Sequence, residues 1–243
     1  MSLLGRTYQG VYNFLCGEHP NYYPWHFQWI FLSKALLWQK RHMHDFHGRV
    51  LDVGCGDKPY QSWISPEKVD EYVGLDIVDR ADIVVKPGVA WPLQDASFDC
   101  VLFTQVLEHL EDREHVLGEM NRVLKPGGII LITVPFMFPA HGLPHDYARF
   151  TIQGLEAIFA KQYDIVERMA AGGAGTVMAS SLLTWLEAIS NTNLAFRLLK
   201  GVLLPLWLLV AALINTVGLI IDVLDVSETH YANACMLVRK GKT

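Results

Sequence analysis

Asp52 stands two residues before a pair of glycines in the stretch Arg49-Val50-Leu51-Asp52-Val53-Gly54-Cys55-Gly56-Asp57-Lys58-Pro59. Gly54 and Gly56 admit positive φ and let a ligand reach main chain that side chains would block. Asp52 adds a negative charge at the same place. About 20 residues on, Asp76 closes Glu71-Tyr72-Val73-Gly74-Leu75-Asp76, where a carboxylate in many nucleotide folds accepts hydrogen bonds from both ribose hydroxyls. A helix cap or a turn is the structural alternative for Asp76. Further along, His141, His145 and Asp146 crowd the aromatic-bordered run Pro135–Thr151, and His109 sits in Leu107-Glu108-His109-Leu110. Histidine ionises near ambient pH and suits a general base, with Asp146 as an orienting partner. The structural alternatives are that Asp146 and Arg149 only tie the loop down, that His109 caps or packs, and that Glu108 serves the start of a helix.

Two nucleotide cofactors use a strand that stops in a glycine loop. A dinucleotide fold needs G-x-G-x-x-G, the last glycine opening a helix beneath a pyrophosphate. Here Pro59 holds the third glycine position, and a carboxylate precedes the loop. That arrangement repels pyrophosphate and suits a cation. S-adenosylmethionine (SAM) carries a sulfonium and an ammonium and no phosphate, whereas a nicotinamide cofactor is disfavoured by Pro59.

The elements that must hold these residues read as alternating strands and helices. Val50, Leu51 and Val53 have the apolar, β-branched character of a strand covered on both faces. Further strands are expected at 71–76, 82–85, 98–103, 129–134, 162–169 and 232–238. Helices are expected from Trp25 to about His44, from Tyr60 to Ser65, from the end of the Glu108 segment to Leu124, and over Ile152–Phe159 with Thr151 as cap. Residues before Trp25, with Tyr8, Tyr12 and Phe14, read as irregular. Lys125–Gly128 reads as a turn and Ala171–Gly175 as a flexible break. Trp91 and Pro92 make an apolar wall fit to border an adenine ring.

Asp52-Val53-Gly54-Cys55-Gly56, Asp76, Phe98-Asp99, Leu107-Glu108-His109-Leu110 and Val123-Leu124-Lys125-Pro126-Gly127-Gly128 together resemble the class I SAM-dependent methyltransferases of the type 11-like family, in order and spacing, from about Arg49 to Phe150. The resemblance implies an α/β, Rossmann-like three-layer sandwich with a seven-stranded, mostly parallel sheet whose last strand is antiparallel. It implies SAM as cofactor, held by Asp52, Gly54, Cys55, Gly56, Asp76, Ile77, Gln105 and His109. The loop after the fifth strand is similar to that of methyltransferases from bacterial glycan- and lipid-modifying clusters, and His141, His145 and Asp146 are its catalytic candidates. One departure stands at Lys86-Pro87-Gly88, where an acidic residue near the adenine amino group is common in this family.

The chain has 243 residues and a net charge of −5, long enough for one α/β domain with an elaboration. No run of Lys or Arg forms a stripe, so a nucleic-acid partner is not expected. Four scattered cysteines without Cys-x-x-Cys suit a reducing compartment with neither disulfide framework nor zinc site. His42, His44 and His47 read as a solvated helix end, and no metal is expected. No signal peptide is expected either.

Mean hydropathy is +0.21, and the excess is local: no charge occurs from Gly201 to Ile221. That stretch would extend about 30 Å as a helix, enough to cross a bilayer. A single crossing would, however, strand the last strand on the wrong side of the membrane from its sheet. The expected organisation is an aromatic cap (1–48), a SAM-binding core (49–175 and 230–243) and an apolar helical insertion (176–229). Residues 176–224 form a lid over the site, a homodimer interface or a peripheral membrane anchor, with Pro205 breaking the run and Asn215 needing a partner if buried. The expectation is a cytoplasmic enzyme, peripheral at the inner face of the membrane, that methylates a small or lipid-linked acceptor. The competing reading is a catalytically silent SAM-binding scaffold.

Overall fold

The sheet forms because each of its inner strands is apolar on both faces. In the computed structural model, which describes residues 3–227 and 229–241, β1 (Gly48–Val53), β4 (Phe98–Thr104) and β5 (Leu124–Pro135) bury nearly every residue of their central runs. The remaining strands are β2 (Val69–Asp76), β3 (Ile83–Val84), β6 (Tyr163–Ala171) and β7 (Asn233–Lys240). Their order is β3-β2-β1-β4-β5-β7-β6. β1, β2, β3, β4 and β5 pair in parallel, and β7 runs antiparallel to β5. The expected seven-stranded sheet with a reversed last strand is therefore present. Its strand order turns back between β1 and β4, and such a point opens a crevice at the carboxyl ends of the strands.

Chain contacts divide the structure into two units. One holds Leu37–Phe136, Ala140–Ala170 and the chain from Asn233 onward; the other holds the chain up to Leu36, Met137–Pro139 and Ala171–Ala232. In the sheet unit, α3 (Arg113–Val123) and α4 (Ile152–Phe159) flank the strands. Thr151 caps α4 through its hydroxyl, which accepts the Gly154 N–H at 3.0 Å. Asp99 ties three strands at their starts, accepting from Arg49 N–H at 2.9 Å and from Lys125 Nζ at 2.8 Å.

Three expectations for this unit are corrected. Tyr60–Ser65 makes only a 3-10 turn at Gln61–Trp63, since Pro59 and Pro66 leave too few residues to nucleate a helix. Lys125–Gly128 is not a turn. It belongs to β5 as a bulge opposite Asp99, with Gly127 at φ +80. His42 is not simply solvated either, since its Nε2 lies 3.3 Å from Glu167 Oε1.

The second unit holds α1 (Leu3–Cys16), α5 (Ala174–Ser190), α6 (Leu194–Val202) and α7 (Leu204–Leu224), and it receives the first half of α2 (Trp29–Met43). The segment expected to be irregular is helix α1. Tyr8, Tyr12 and Cys16 recur at helical spacing and pack with Leu204 and Trp207, a partner face far away in sequence. α2 starts at Trp29 rather than Trp25. Pro205 lies in the first turn of α7, where its missing N–H costs nothing.

The break at Ala171–Gly175 is tight rather than loose. Gly172 turns the chain at φ +83, and Gly175 lies inside α5, where a Cβ would stand 1.9 Å from the Gly218 carbonyl oxygen. Glycine at 175, with Gly218 opposite it, lets α5 and α7 approach so closely, while Gly172 is needed for its positive φ. Asp222, at the end of α7, accepts from Gly173 N–H, Thr176 N–H and the Thr176 hydroxyl at the start of α5, where a carboxylate complements the helix dipole. The Asn215 amide nitrogen has its partners, donating to the Pro24 and His26 carbonyls at 2.7 and 3.1 Å, while the buried Oδ1 accepts no hydrogen bond.

Candidate functional site

The glycine loop and the second acidic strand end are joined. β1 stops at Val53, and Gly54 and Gly56 take φ +74 and +49. A Cβ on Gly54 would lie 2.3 Å from Val106 Cγ2, whereas nothing lies within 4 Å of one on Gly56. Asp76 ends β2 and accepts the Gly56 N–H at 2.8 Å and the Ile77 N–H at 2.6 Å. Its carboxylate thus sets the loop and keeps lone pairs for a ligand. Lys58, at φ +54, pairs with Asp82, whose other oxygen accepts the Gly74 N–H at 2.7 Å.

Asp52 is almost fully buried and accepts the Tyr72 hydroxyl at 2.5 Å. Burial pushes its carboxyl up to about 7, with the Tyr72 bond opposing and the charge of Asp76 reinforcing the rise. Burial also raises the Cys55 thiol to about 12, helped by the charges of Asp52 and Asp76, so Cys55 is not a thiolate near neutrality.

A cavity of about 570 Å³ opens at this rim, a size typical of small-molecule sites. Of the sequence candidates, Gly54, Asp76, Ile77, Gln105, His109 and His145 line it; Asp52, Cys55, Gly56, His141 and Asp146 do not. Gln105 holds φ +55, uncommon for a side chain of its kind. Its amide donates to Asn233 Oδ1 at 3.2 Å and Thr133 Oγ1 at 3.3 Å. Trp91 forms a wall, as its position suggested. Glu119 holds its backbone N–H at 2.6 Å, and Arg122 grips Glu119 through two bonds of 2.8 and 2.7 Å. That grip keeps the Glu119 carboxyl down at about 2.

Lys86, Pro87 and Gly88, the segment expected beside the adenine, line the cavity, whereas sequence reasoning missed Glu111, Asp112, His115 and Tyr147 as lining residues. Asp112 had a legible signal, since it caps α3 by accepting the His115 N–H. Among the described lining residues, the carboxylates Asp76, Glu111 and Asp112 face one permanent cation, Lys86. The balance favours a positively charged guest over a phosphate.

The loop after β5 brings the histidines together. Asp146 accepts from Arg149 at 2.5 and 2.7 Å and from the His141 N–H at 2.9 Å, and the guanidinium holds its carboxyl far below the usual carboxylate range. His145 Nδ1 lies 3.0 Å from the Tyr147 hydroxyl, and His109 Nδ1 lies 2.5 Å from the His145 carbonyl oxygen. His109 and His141 meet edge-on at 4.9 Å. Glu108 does not cap a helix. It sits fully buried in a 3-10 turn beside both rings.

A family model described as a methyltransferase domain matches residues 51–132, the segment that carries the glycine loop, Asp76 and most of the cavity wall. Over this segment the chain is similar to SAM-dependent methyltransferases. A probable SAM-dependent methyltransferase of Mycolicibacterium smegmatis is 33% identical over 123 residues, covering 43% of this chain and 48% of that one. A demethylmenaquinone methyltransferase of Staphylococcus haemolyticus is 29% identical over 164 residues, 57% of this chain and 67% of that one. The match thus spans about half the length of the first relative. Among solved structures, the cyclase SpnF superposes with a TM-score of 0.55 at 18% identity, over 87% of this chain and 82% of its own. That likeness concerns the fold alone.

The residues at this rim fit SAM. The loop offers bare backbone at Gly56, Asp76 offers free carboxylate lone pairs, Trp91 offers an aromatic wall, and the cavity lacks the third glycine and cationic cradle that a pyrophosphate needs.

Proposed function

We propose that this protein transfers the methyl group of SAM to a small-molecule acceptor. The observation that carries the reading is Asp76, which closes β2, locks the glycine loop and lines the cavity at the point where strand order reverses. In this reading Asp76 holds the ribose hydroxyls, the loop from Gly54 to Gly56 faces the methionine part, and Trp91 borders the adenine. SAM supplies a methyl group on a sulfonium, already a good leaving group, so the chain's main task is to orient the acceptor in line. For a hydroxyl acceptor, His145 receives the proton. It lines the cavity, and the Tyr147 hydroxyl beside Nδ1 steadies its ring. Asp146 acts by positioning His141 and the loop.

Calorimetry with SAM, and assay of S-adenosylhomocysteine formation with extracted metabolites as acceptors, test the proposal. Wild type is expected to bind SAM and turn it over, and His145→Ala to bind equally but lose about 100-fold in turnover. SAM binding without turnover under any acceptor fraction would favour the silent scaffold instead.

The apolar helices support a lipid surface as the place of action and a lipid-linked acceptor as the finer reading. Met178, Leu182, Trp185 and Ile189 on α5, and Leu206, Leu209, Leu213, Val217 and Ile220 on α7, are exposed at helical spacing. α7 has a mean hydropathy of 2.3, and only 22% of its apolar window is buried. Ala211, Asn215 and Gly218 on its other side are buried, so the helix suits lying in one leaflet rather than spanning two. Flotation with anionic liposomes, without detergent, should carry the protein upward. Complete recovery in the lipid-free fraction would overturn this, and a dimer in that fraction would assign the face to self-association.

A further inference from the structure

Among the described residues, Glu108 is the carboxylate whose two oxygens are both buried with no hydrogen-bond partner. An ionised carboxylate so placed is costly unless a cation meets it. Two imidazole nitrogens face it: His109 Nε2 at 3.7 Å and His141 Nε2 at 3.8 Å from Oε1. The three donor atoms all lie within 4.8 Å of one another. Arg149 feels the charge of Glu108, but its guanidinium is engaged by Asp146 through two bonds and by the Ala148 carbonyl.

We infer that Glu108, His109 and His141 form a binding site for one divalent transition-metal ion of the zinc type. Two imidazoles and a carboxylate are the donors such ions take, whereas Mg²⁺ and Ca²⁺ prefer oxygen throughout. Donors bound at roughly 2.0–2.2 Å stand about 3.4 Å apart around a tetrahedral ion, so small side-chain rotations close the site. The supports are in place. His109 Nδ1 abuts the His145 carbonyl at 2.5 Å, and donation there leaves Nε2 as the free donor toward Glu108. On His141, Asp146 Oδ2 lies 3.7 Å from Nδ1 and is the partner that would take the Nδ1 proton with Nε2 on the ion, whereas Arg149 Nη2, 3.3 Å from the same nitrogen, donates only and would have to turn away. The edge-on packing of the two rings leaves both Nε2 atoms facing the carboxylate.

Three protein donors leave a coordination position open, as in catalytic rather than structural sites. His109 also lines the cavity, so an acceptor's hydroxyl or carboxylate oxygen is the ligand class suited to that position. This last assignment rests on the methyl-transfer reading, whereas the ion site itself does not. Adjacent Glu108 and His109 come from the 3-10 turn after β4 and His141 from the loop after β5, which is why no local spacing announced a metal.

The tag-free full chain, stripped with a chelator, would be titrated with Zn²⁺ by calorimetry and with Co²⁺ by visible absorption. One ion per chain is expected, with a cobalt d–d band. Glu108→Gln, which keeps shape and removes the buried charge, and His141→Ala should each weaken binding by at least about 10-fold, with unchanged circular dichroism. His44→Ala, at an exposed and unrelated histidine, should leave it unchanged. Failure to take up a stoichiometric ion, or uptake that survives the Glu108→Gln/His141→Ala double variant, would overturn the site. SAM titrated into the same metal-free chain separates this outcome from failure of the cofactor reading.

Discussion

Asp76→Ala is expected to remove SAM binding from the range calorimetry can measure. In the proposed reading the ribose hydroxyls would lose two charge-assisted bonds to this carboxylate, each worth about 1.5–3 kcal/mol. The substitution would also release the Gly56 and Ile77 N–H groups that the carboxylate now accepts at 2.8 and 2.6 Å, so the loop loses its set conformation. Together these predict a loss of at least ~100-fold in affinity, since each factor of ten is about 1.4 kcal/mol. Asp76→Asn should fall between the two, because one amide oxygen can still accept a single N–H. Unchanged SAM affinity in the alanine variant, with an unaltered thermal melt, would show that the cavity at this rim is not the cofactor site.

The contribution of Asp52 to stability is expected to fall as pH rises from about 4 to about 7, while His26, whose imidazole burial pushes down to about 4, contributes the opposite slope below about 6.5. The folded carboxyl ionises near 7 against an ordinary value of 3.8. In that window the folded state therefore holds a proton that the unfolded chain has released. By linkage, a state that binds more protons loses ground as pH rises. The loss starts near the unfolded value, grows through the window and levels off above about 7. Its full size is on the order of 4 kcal/mol, at about 1.4 kcal/mol for each pH interval of one between the two values. Asp52→Asn keeps an acceptor for the Tyr72 hydroxyl and removes the ionisation. Urea unfolding at pH 5 and pH 8 should show wild type losing stability relative to Asp52→Asn as pH rises, since the slopes of the other groups, His26 among them, are common to both. Equal pH dependence in both would place the buried charge elsewhere.

The likeness to SpnF bears on how such a domain is read. A cyclase shares the sheet over most of both chains, so the fold does not dictate chemistry, and function must rest on the residues at the rim. Here those residues are Asp76 at the end of β2 and the histidine cluster beyond β5, and the Asp76 variants and the ion titration interrogate them separately.

What the chain's order alone determined was whatever depends on neighbouring residues. Val50–Val53, Ile129–Val134 and the last strand were legible because continuous apolar runs belong to strands buried on both faces. Gly54 and Gly56 were legible because a strand cannot stop so sharply without positive φ, and Asp76 because it ends a strand at a familiar distance from them. The Pro205 break and the Thr151 cap are local in the same sense. Tertiary structure decided who meets whom. It set Asp76 on the Gly56 N–H, buried Asp52 beneath Tyr72, folded Lys125–Gly128 into β5, and pressed Gly175 against Gly218. It also brought His141 to Glu108 and His109. Hydropathy and spacing report how much water a residue avoids. They carry no record of which distant segment excludes that water, because sheet register and helix packing, rather than chain proximity, bring the partners within bonding distance.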